Sequence, residues 1–367
     1  MKIEKIKLYH VRMSLRTPFE TSFGRIDTRD CILIEAASQG LVGYGECVAD
    51  RDPGYSYETV HTAWHILRDF LAPAVMNKDL ADPSALQGCL EFVRGHPMAK
   101  AGLEMAWWDL LGKSKGISLR QLIGGVHQRV DVGVSIGIQA TPASLVTTIG
   151  EYLNQGYRRV KIKIKPGRDL SDAQAARQAY PGLRLQVDAN SAYSRTTVED
   201  LLPLDDLDLL LIEQPLAEDD LWDHRWLQAR FRTPICLDES ILSARHARQA
   251  LEMEACRVIN IKAGRVGGLS QAIAIHDLCY QQAVPVWCGG MLETGVGRAS
   301  NLALASLPGF RLPGDISATD RYYLEDITHE RFVLNQDSTI DVPDRPGLGV
   351  TINSQALEKV TLSTLTI

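Results

Sequence analysis

Five charged residues recur along this chain at an almost constant interval. Lys163, Asp188, Glu213, Asp238 and Lys262 are separated by 25, 25, 25 and 24 residues, and each closes a short apolar run. A charge at the end of an apolar segment is costly unless something pairs with it. Three carboxylates in series offer only hard oxygen donors, with no His or Cys among them. That set suits Mg²⁺, or Mn²⁺, better than Zn²⁺. Lysines flank the series at both ends. Lys161 and Lys163 are two apart and share one face of a strand. Two close lysines beside a divalent cation should disfavour each other's charge, so their pKa values should fall toward a usable base. Lys165 would also satisfy a same-face pair with Lys163. It breaks the interval to Asp188, however, and it leads into Pro166-Gly167.

Such an interval needs repeating units to carry it. The runs VGVSIG, RVKIKIK, LRLQVD, LDLLLIE, TPICLD, RVINIK, VPVWCG and FRLPGD supply eight strand candidates, with helical segments between them. Thr141-Pro142 opens one of those helices and Gly156 closes it. Eight βα units of about 25 residues are what a closed parallel barrel requires. The charged residues then sit at the C-terminal strand ends, where barrels keep their chemistry. The carboxylates end the third, fourth and fifth strands, spaced about 4.8 Å apart, so they can converge on one cation. The lysines end the second and sixth, across the barrel. A doubly wound open sheet is the competing fold, but it rarely keeps so even a period and no G-x-G-x-x-G follows the first strand.

The first 125 residues differ. Lys2 to Leu15 roughly alternates, CILIEAASQGLVGYGECV reads as two strands turning at Gln39-Gly40, and Thr17 to Gly24 reads as a polar loop. Helical spacing follows in Thr59 to Ala72, Ala85 to Val93 and LEMAWWDLLGK, the last ending at Gly112 and Lys113. Strands followed by helices make an α+β domain. The expected division is 1–125 as a capping domain, 126–320 as the barrel, and 321–367 as a segment that returns to pack on the cap.

Composition narrows the function. The net charge is -6, with 39 basic against 45 acidic residues and no basic block, so a nucleic-acid footprint is not expected. No apolar run approaches the roughly 20 residues of a membrane span. The N-terminus, MKIEKIKLYHVRM, lacks the apolar core of a signal peptide, so a cytoplasmic location is expected. Seven cysteines without a C-x-x-C pair read as reduced and structural. The nine histidines show no paired spacing.

Taken singly, K-I-K is most often an edge strand with solvated lysines, and D-A-N or D-E-S is a strand-end turn. Together they mean more. K-I-K at 161–163, D-A-N at 188–190, I-E-Q-P at 212–215, L-D-E-S at 237–240 and N-I-K at 260–262 resemble the muconate-lactonising subgroup of the enolase superfamily. A-W-W-D-L-L-G-K with the later L-I-G-G resembles the end of that superfamily's capping domain. The resemblance implies an α/β fold, an enolase-like modified TIM (β/α)7β barrel with an α+β capping domain. It implies a metal-assisted removal of a proton next to a substrate carboxylate, through an ene-diolate. On this basis Asp188, Glu213 and Asp238 bind Mg²⁺ (or Mn²⁺), Lys163 is the base with Lys161 tuning it, and Lys262 faces it. Asn190 and Glu239 hold ligands and lysine in place. The seventh strand, VPVWCGG, lacks the His of mandelate racemases. The stretch G-D-I-S, with Asp315 alone, lacks the D-x-D of dipeptide epimerases.

GGMLETGVGRASNLALASLP and LPGDISATDRYY resemble the o-succinylbenzoate synthase and N-succinylamino acid racemase family, with Tyr322 where some members carry Phe. One constellation serves both activities: dehydration of a cyclohexadiene carboxylate in menaquinone biosynthesis, or a two-lysine 1,1-proton transfer on N-acylamino acids. Candidate substrate contacts are Phe19, Phe23 and Tyr55 from the cap, and Ser135, Met291, Leu292 and Glu293 from the barrel. The expected partner is a small-molecule carboxylate, and the enzyme is expected to be a homo-oligomer. Three rivals differ in their needs. A Schiff-base aldolase would use a strand-end lysine without three carboxylates. A metal-dependent hydrolase would want His ligands. A non-catalytic binding protein would not exchange a substrate α-proton.

Overall fold

The computed structural model describes all residues, Met1–Ile367. Seven short parallel strands form one sheet: Val134–Ile136, Arg159–Lys163, Arg184–Asp188, Ile212–Glu213, Ile235–Leu237, Val258–Ile261 and Val286–Cys288, neighbouring one another in sequence order. The eighth run, FRLPGD, is not a regular strand. It nevertheless closes the sheet. Phe310 bridges to Val286 and Gly314 to Val132, both in parallel. Gly133 N donates to Gly314 O at 2.8 Å, and Asp315 N to Cys288 O at 2.9 Å. Pro313 has no N–H to give a ladder, which accounts for the irregular backbone.

Helices alternate with the strands as the period predicts. Pro142–Gln155 starts in a capping box at Thr141 and stops at Gly156 in the left-handed region (φ 109°). After the third strand a 3₁₀ turn, Val198–Asp206, replaces an α-helix, with Pro203 inside it. Proline cannot supply the N–H of an α-helical interior.

The N-terminal part is an antiparallel sheet packed on the Pro97–Lys115 helix. Strands Lys5–Thr21, Gly24–Ser38 and Leu41–Cys47 follow one another, and Thr361–Thr366 adds to the outer edge of the first. Gln39 and Gly40 both have positive φ (51° and 79°), the backbone of a tight hairpin turn. Gly45 permits the closest approach. A Cβ there would stand 2.0 Å from Gly102 O of the helix.

Two local expectations are corrected. Thr17 to Gly24 is not a loop but the tip of a long hairpin, paired as Phe19 with Ile26 and Thr21 with Gly24. Thr17 is exposed, Thr21 is buried, and Ser22 turns toward the barrel, while backbone pairing continues. The LEMAWWDLLGK helix does not stop at Gly112. It runs to Lys115 and ends at Gly116 (φ 69°). Gly112 is needed for packing, because a Cβ would meet Gly347 at 2.7 Å. No disulfide forms among the seven cysteines. No helix is long and apolar enough to cross a membrane.

Candidate active site

Strand register sets the site. Lys163 pairs with Asp188 and Asp188 with Glu213 across adjacent parallel strands, so three of the five periodic residues form one row. Asp238 and Lys262 stand one residue beyond the ends of their strands, Leu237 and Ile261. All five, and Lys161, are buried.

The side chains form a paired network. Lys163 Nζ donates to Asp188 Oδ2 (2.6 Å) and Asn190 Oδ1 (2.7 Å). Asn190 Nδ2 in turn donates to Glu239 Oε1 at 2.8 Å. Lys161 Nζ reaches Asp188 (3.0 Å), Glu213 (2.9 Å) and Asp315 (2.7 Å). Lys262 Nζ lies 2.7 Å from Asp238 Oδ2 and 3.0 Å from the Tyr55 hydroxyl, which also donates to Asp238 Oδ1. The three carboxylates are not gathered around a single point. No trio of His, Cys, Asp or Glu side chains stands close enough to hold an ion. Each acid instead turns to the nearest ammonium or guanidinium, because a buried carboxylate needs a counter-charge.

Electrostatics separate the two neighbouring lysines. Burial pushes Lys163 below the ordinary lysine value, against the pull of Asp188. Burial pushes Lys161 down too, but Asp315, Glu213 and Asp188 outweigh it and hold it well above. The expectation that both would fall is therefore corrected for Lys161. Burial raises Asp188, yet Lys163 and Lys161 bring it well below the usual carboxylate range. Burial and the Asp188 charge push Glu213 up to about 7.

Six of the seven proposed substrate contacts line one cavity of about 370 Å³, which Lys161, Lys163, Lys262 and Asn190 also face: Phe19, Phe23, Tyr55, Ser135, Met291 and Leu292. Ser135 is buried and its hydroxyl has no hydrogen-bond partner. The cap reaches in through the hairpin, where Ser22 Oγ donates to Asn190 O at 3.1 Å. Glu293 is the exception. Its carboxylate accepts from Met291 N (2.8 Å) and Asn301 Nδ2 (2.9 Å), so it braces its own loop and lies outside the cavity lining.

Several participants were not singled out from the sequence. Arg265 is fully buried and pairs with Asp238 while donating to Asn260 O (2.6 Å) and Ile241 O (2.8 Å). It lies three residues after Lys262, one helical turn on, which is the signal that places it on the same face. Asn260 Nδ2 donates to Glu213 Oε1 at 2.8 Å. Gln214 Oε1 accepts from Asp238 N (2.9 Å) and Ser240 N (3.2 Å), tying the fourth strand end to the fifth. Asn190, two residues after Asp188, and Gln214, directly after Glu213, both hold positive φ, 42° and 38°. Strained backbone of this kind persists where surroundings over-determine it, and it clusters at functional sites.

A barrel with a carboxylate row, flanking lysines and an α+β cap defines a class. The chain belongs to the enolase superfamily. Residues 144–356 match the enolase C-terminal domain-like family, and residues 3–124 match the mandelate racemase / muconate lactonizing enzyme N-terminal domain. A dipeptide epimerase structure from Cytophaga hutchinsonii, 22% identical with a TM-score of 0.91, contains Mg and a dipeptide. Within the superfamily, the chain is 49% identical to an o-succinylbenzoate synthase of Geobacillus kaustophilus, over 98% of this chain and 96% of that one. It is 47% identical to an N-succinylamino acid racemase of Thermus thermophilus, over 99% and 98%. A solved enolase-superfamily structure from Listeria innocua is 42% identical and superposes with a TM-score of 0.96, over 100% and 99% of the two chains.

Proposed function

We propose that this chain is a hydro-lyase that converts 2-succinyl-6-hydroxy-2,4-cyclohexadiene-1-carboxylate to o-succinylbenzoate, and that the same site racemises N-succinylamino acids. The observation that carries this is the shared cavity. Two lysines from strands on opposite sides of the barrel, Lys163 and Lys262, face it together. The synthase and racemase relatives, at 49% and 47% identity, supply the substrate class.

Lys163 takes the proton from the carbon bearing the substrate carboxylate. Its burial favours the neutral amine that this step needs. Asn190 accepts one of its N–H groups and so aims the remaining donor or lone pair. The proton then passes to the departing hydroxyl, which leaves as water, and the ring becomes aromatic. Lys262, held by Asp238 and Tyr55, keeps a positive charge on the opposite face. In racemisation the two lysines exchange roles, one removing and one returning a proton. Phe19, Phe23 and Tyr55 from the cap cover the succinyl arm. The cap of 1–125, the barrel of 126–320 and the returning 321–367 belong to the same reading.

The donor chemistry suits a hard divalent cation, which would take the three acids in place of the ammonium and guanidinium groups they face in this structure. Asp188, Glu213 and Asp238 offer oxygens from three consecutive strands, and the nearby buried Glu239 Oε2 has no hydrogen-bond partner. Bound there, Mg²⁺ would supply Lewis-acid charge to the substrate carboxylate. The test offers purified protein with Mg²⁺ the cyclohexadiene acid, and separately single enantiomers of several N-succinylamino acids. Turnover of the first, lost on chelation and regained with Mg²⁺, is expected. Inactivity on both substrate types contradicts the reading.

A further inference from the structure

The eighth barrel segment carries a carboxylate that neither the metal row nor the proton-transfer lysines account for. Asp315 is buried, and its two oxygens are divided between two cations. Oδ1 lies 2.6 Å from Arg159 Nη1, and Oδ2 lies 2.7 Å from Lys161 Nζ. Arg159 is fully buried beneath the site. It is anchored to Pro313 O (2.8 Å) and Gly314 O (2.5 Å), the residues that lead into Asp315. The guanidinium fills the space over Gly133, where a Cβ would stand 2.3 Å from Arg159 Nε. The Trp287 ring completes the floor, 4.8 Å from Lys161 Nζ.

An ammonium has three N–H donors. Lys161 donates a hydrogen bond to Glu213 and stands at ion-pair distance from Asp188 and Asp315, one acid for each of its three N–H groups. Lys163 commits two, to Asp188 and Asn190. Both lysines share the same oxygen, Asp188 Oδ2, so where Lys161 sits governs the charge beside Lys163. Of the three acids on Lys161, Asp188 and Glu213 belong to the carboxylate row at the mouth. Asp315 alone comes from the far side of the closing seam and is fixed from below.

We propose that Asp315 is a positioning residue for the proton-transfer step. Backed by Arg159, it saturates Lys161 and holds it off the reacting carbon, leaving Lys163 as the amine with a free direction. The inference rests on the proposed enolising function.

The test pairs kinetics with a readout that needs no substrate. Asp315→Asn should lower kcat on the order of 100-fold with KM unchanged, the scale of a misplaced catalytic group. Asp315→Glu should recover part of that loss. Lys161→Met combined with Asp315→Asn should be no slower than Lys161→Met alone. On ¹⁵N-lysine-labelled protein, the Lys161 ammonium protons should be protected from exchange in the native protein and unprotected in Asp315→Asn. A raised KM at constant kcat would make Asp315 a substrate contact and overturn the proposal. So would losses that multiply, or a Lys161 signal that Asp315→Asn leaves unchanged. Should Asp315→Asn fail to fold, Asp315→Glu decides: native kcat with a native Lys161 signal overturns the proposal. If the unsubstituted protein turns over neither substrate, the functional reading falls, and the Lys161 signal still decides this one.

Discussion

Buried acids occur in two regions of this molecule, and they are handled in opposite ways. At the barrel mouth, Asp188, Asp238 and Asp315 each face cationic side chains: Lys161, Lys163, Lys262, Arg159 and Arg265. At the seam between cap and barrel, the partners of buried glutamates are backbone amides and hydroxyls. Glu46 accepts from Thr294 Oγ1 (2.6 Å) and Gly297 N (2.9 Å), at the start of the Gly295–Ala305 helix. Glu104 accepts from Ser270 N (3.4 Å) and its hydroxyl, at the start of Leu269–Gln281. A helix N-terminus offers unpaired amides and partial positive charge. Burial outweighs these hydrogen bonds and pushes both glutamates up to about 7. The seam acids fasten one part to another. The mouth acids are held by charged side chains that line the substrate cavity.

The comparison is broken most strongly at the mouth. Lys163→Ala should cut turnover on the order of 1,000-fold, within the range of general-base catalysis, while leaving the melting temperature near that of the native protein. Steady-state assays with calorimetry check it. A large fall in melting temperature would put Lys163 among the fasteners.

A change at the seam should do the reverse. Gly268 holds φ 122°, and a Cβ there would stand 1.6 Å from Glu104 Oε2. Gly268→Ala should cost roughly 2–4 kcal/mol of stability through backbone strain and overpacking. Surviving protein should keep its kcat. Denaturant unfolding measures the first and assay the second.

The pH dependence sharpens the contrast. Glu104 has its folded pKa raised from 4.5 to about 7, so between those values the folded state binds the extra proton. Stability from this group is fully present below pH 4.5 and is lost as pH rises to 7. Glu104→Gln removes the titration. Relative to that variant, the native protein should lose on the order of 3 kcal/mol between pH 4.5 and 7.5. Parallel unfolding curves across that range would show that Glu104 does not titrate there. The smallest expected effect is Glu46→Gln, which keeps the shape and one acceptor. About 1 kcal/mol is expected, the net scale of one hydrogen bond.

The same contrast explains what could be read from residues alone. The carboxylate row and its lysines were legible because strand period and barrel closure repeat, so five charges kept a fixed spacing. The hairpin at Gln39-Gly40 and the helix from Thr141 to Gly156 were legible from turn and cap chemistry. Arg159 and Arg265 were not, since a lone arginine in sequence gives no sign of full burial. The seam glutamates were hidden for a related reason. Their partners are helix N-termini 166 residues away for Glu104 and 248 for Glu46, and nothing local marks the pairing. Glu293 shows the converse error. Its position after the seventh strand suggests a substrate contact, but a carboxylate two residues from Met291 N closes its own loop first.

The central claim is that two lysines serve opposite faces of one substrate. It is tested most directly by ¹H NMR in heavy water with Mg²⁺ and each enantiomer of an N-succinylamino acid. The native protein should exchange the α-proton of both. Lys163→Ala should retain exchange for one enantiomer only, and Lys262→Ala for the other only. Loss of exchange for both enantiomers in either variant, or for neither, would contradict the account.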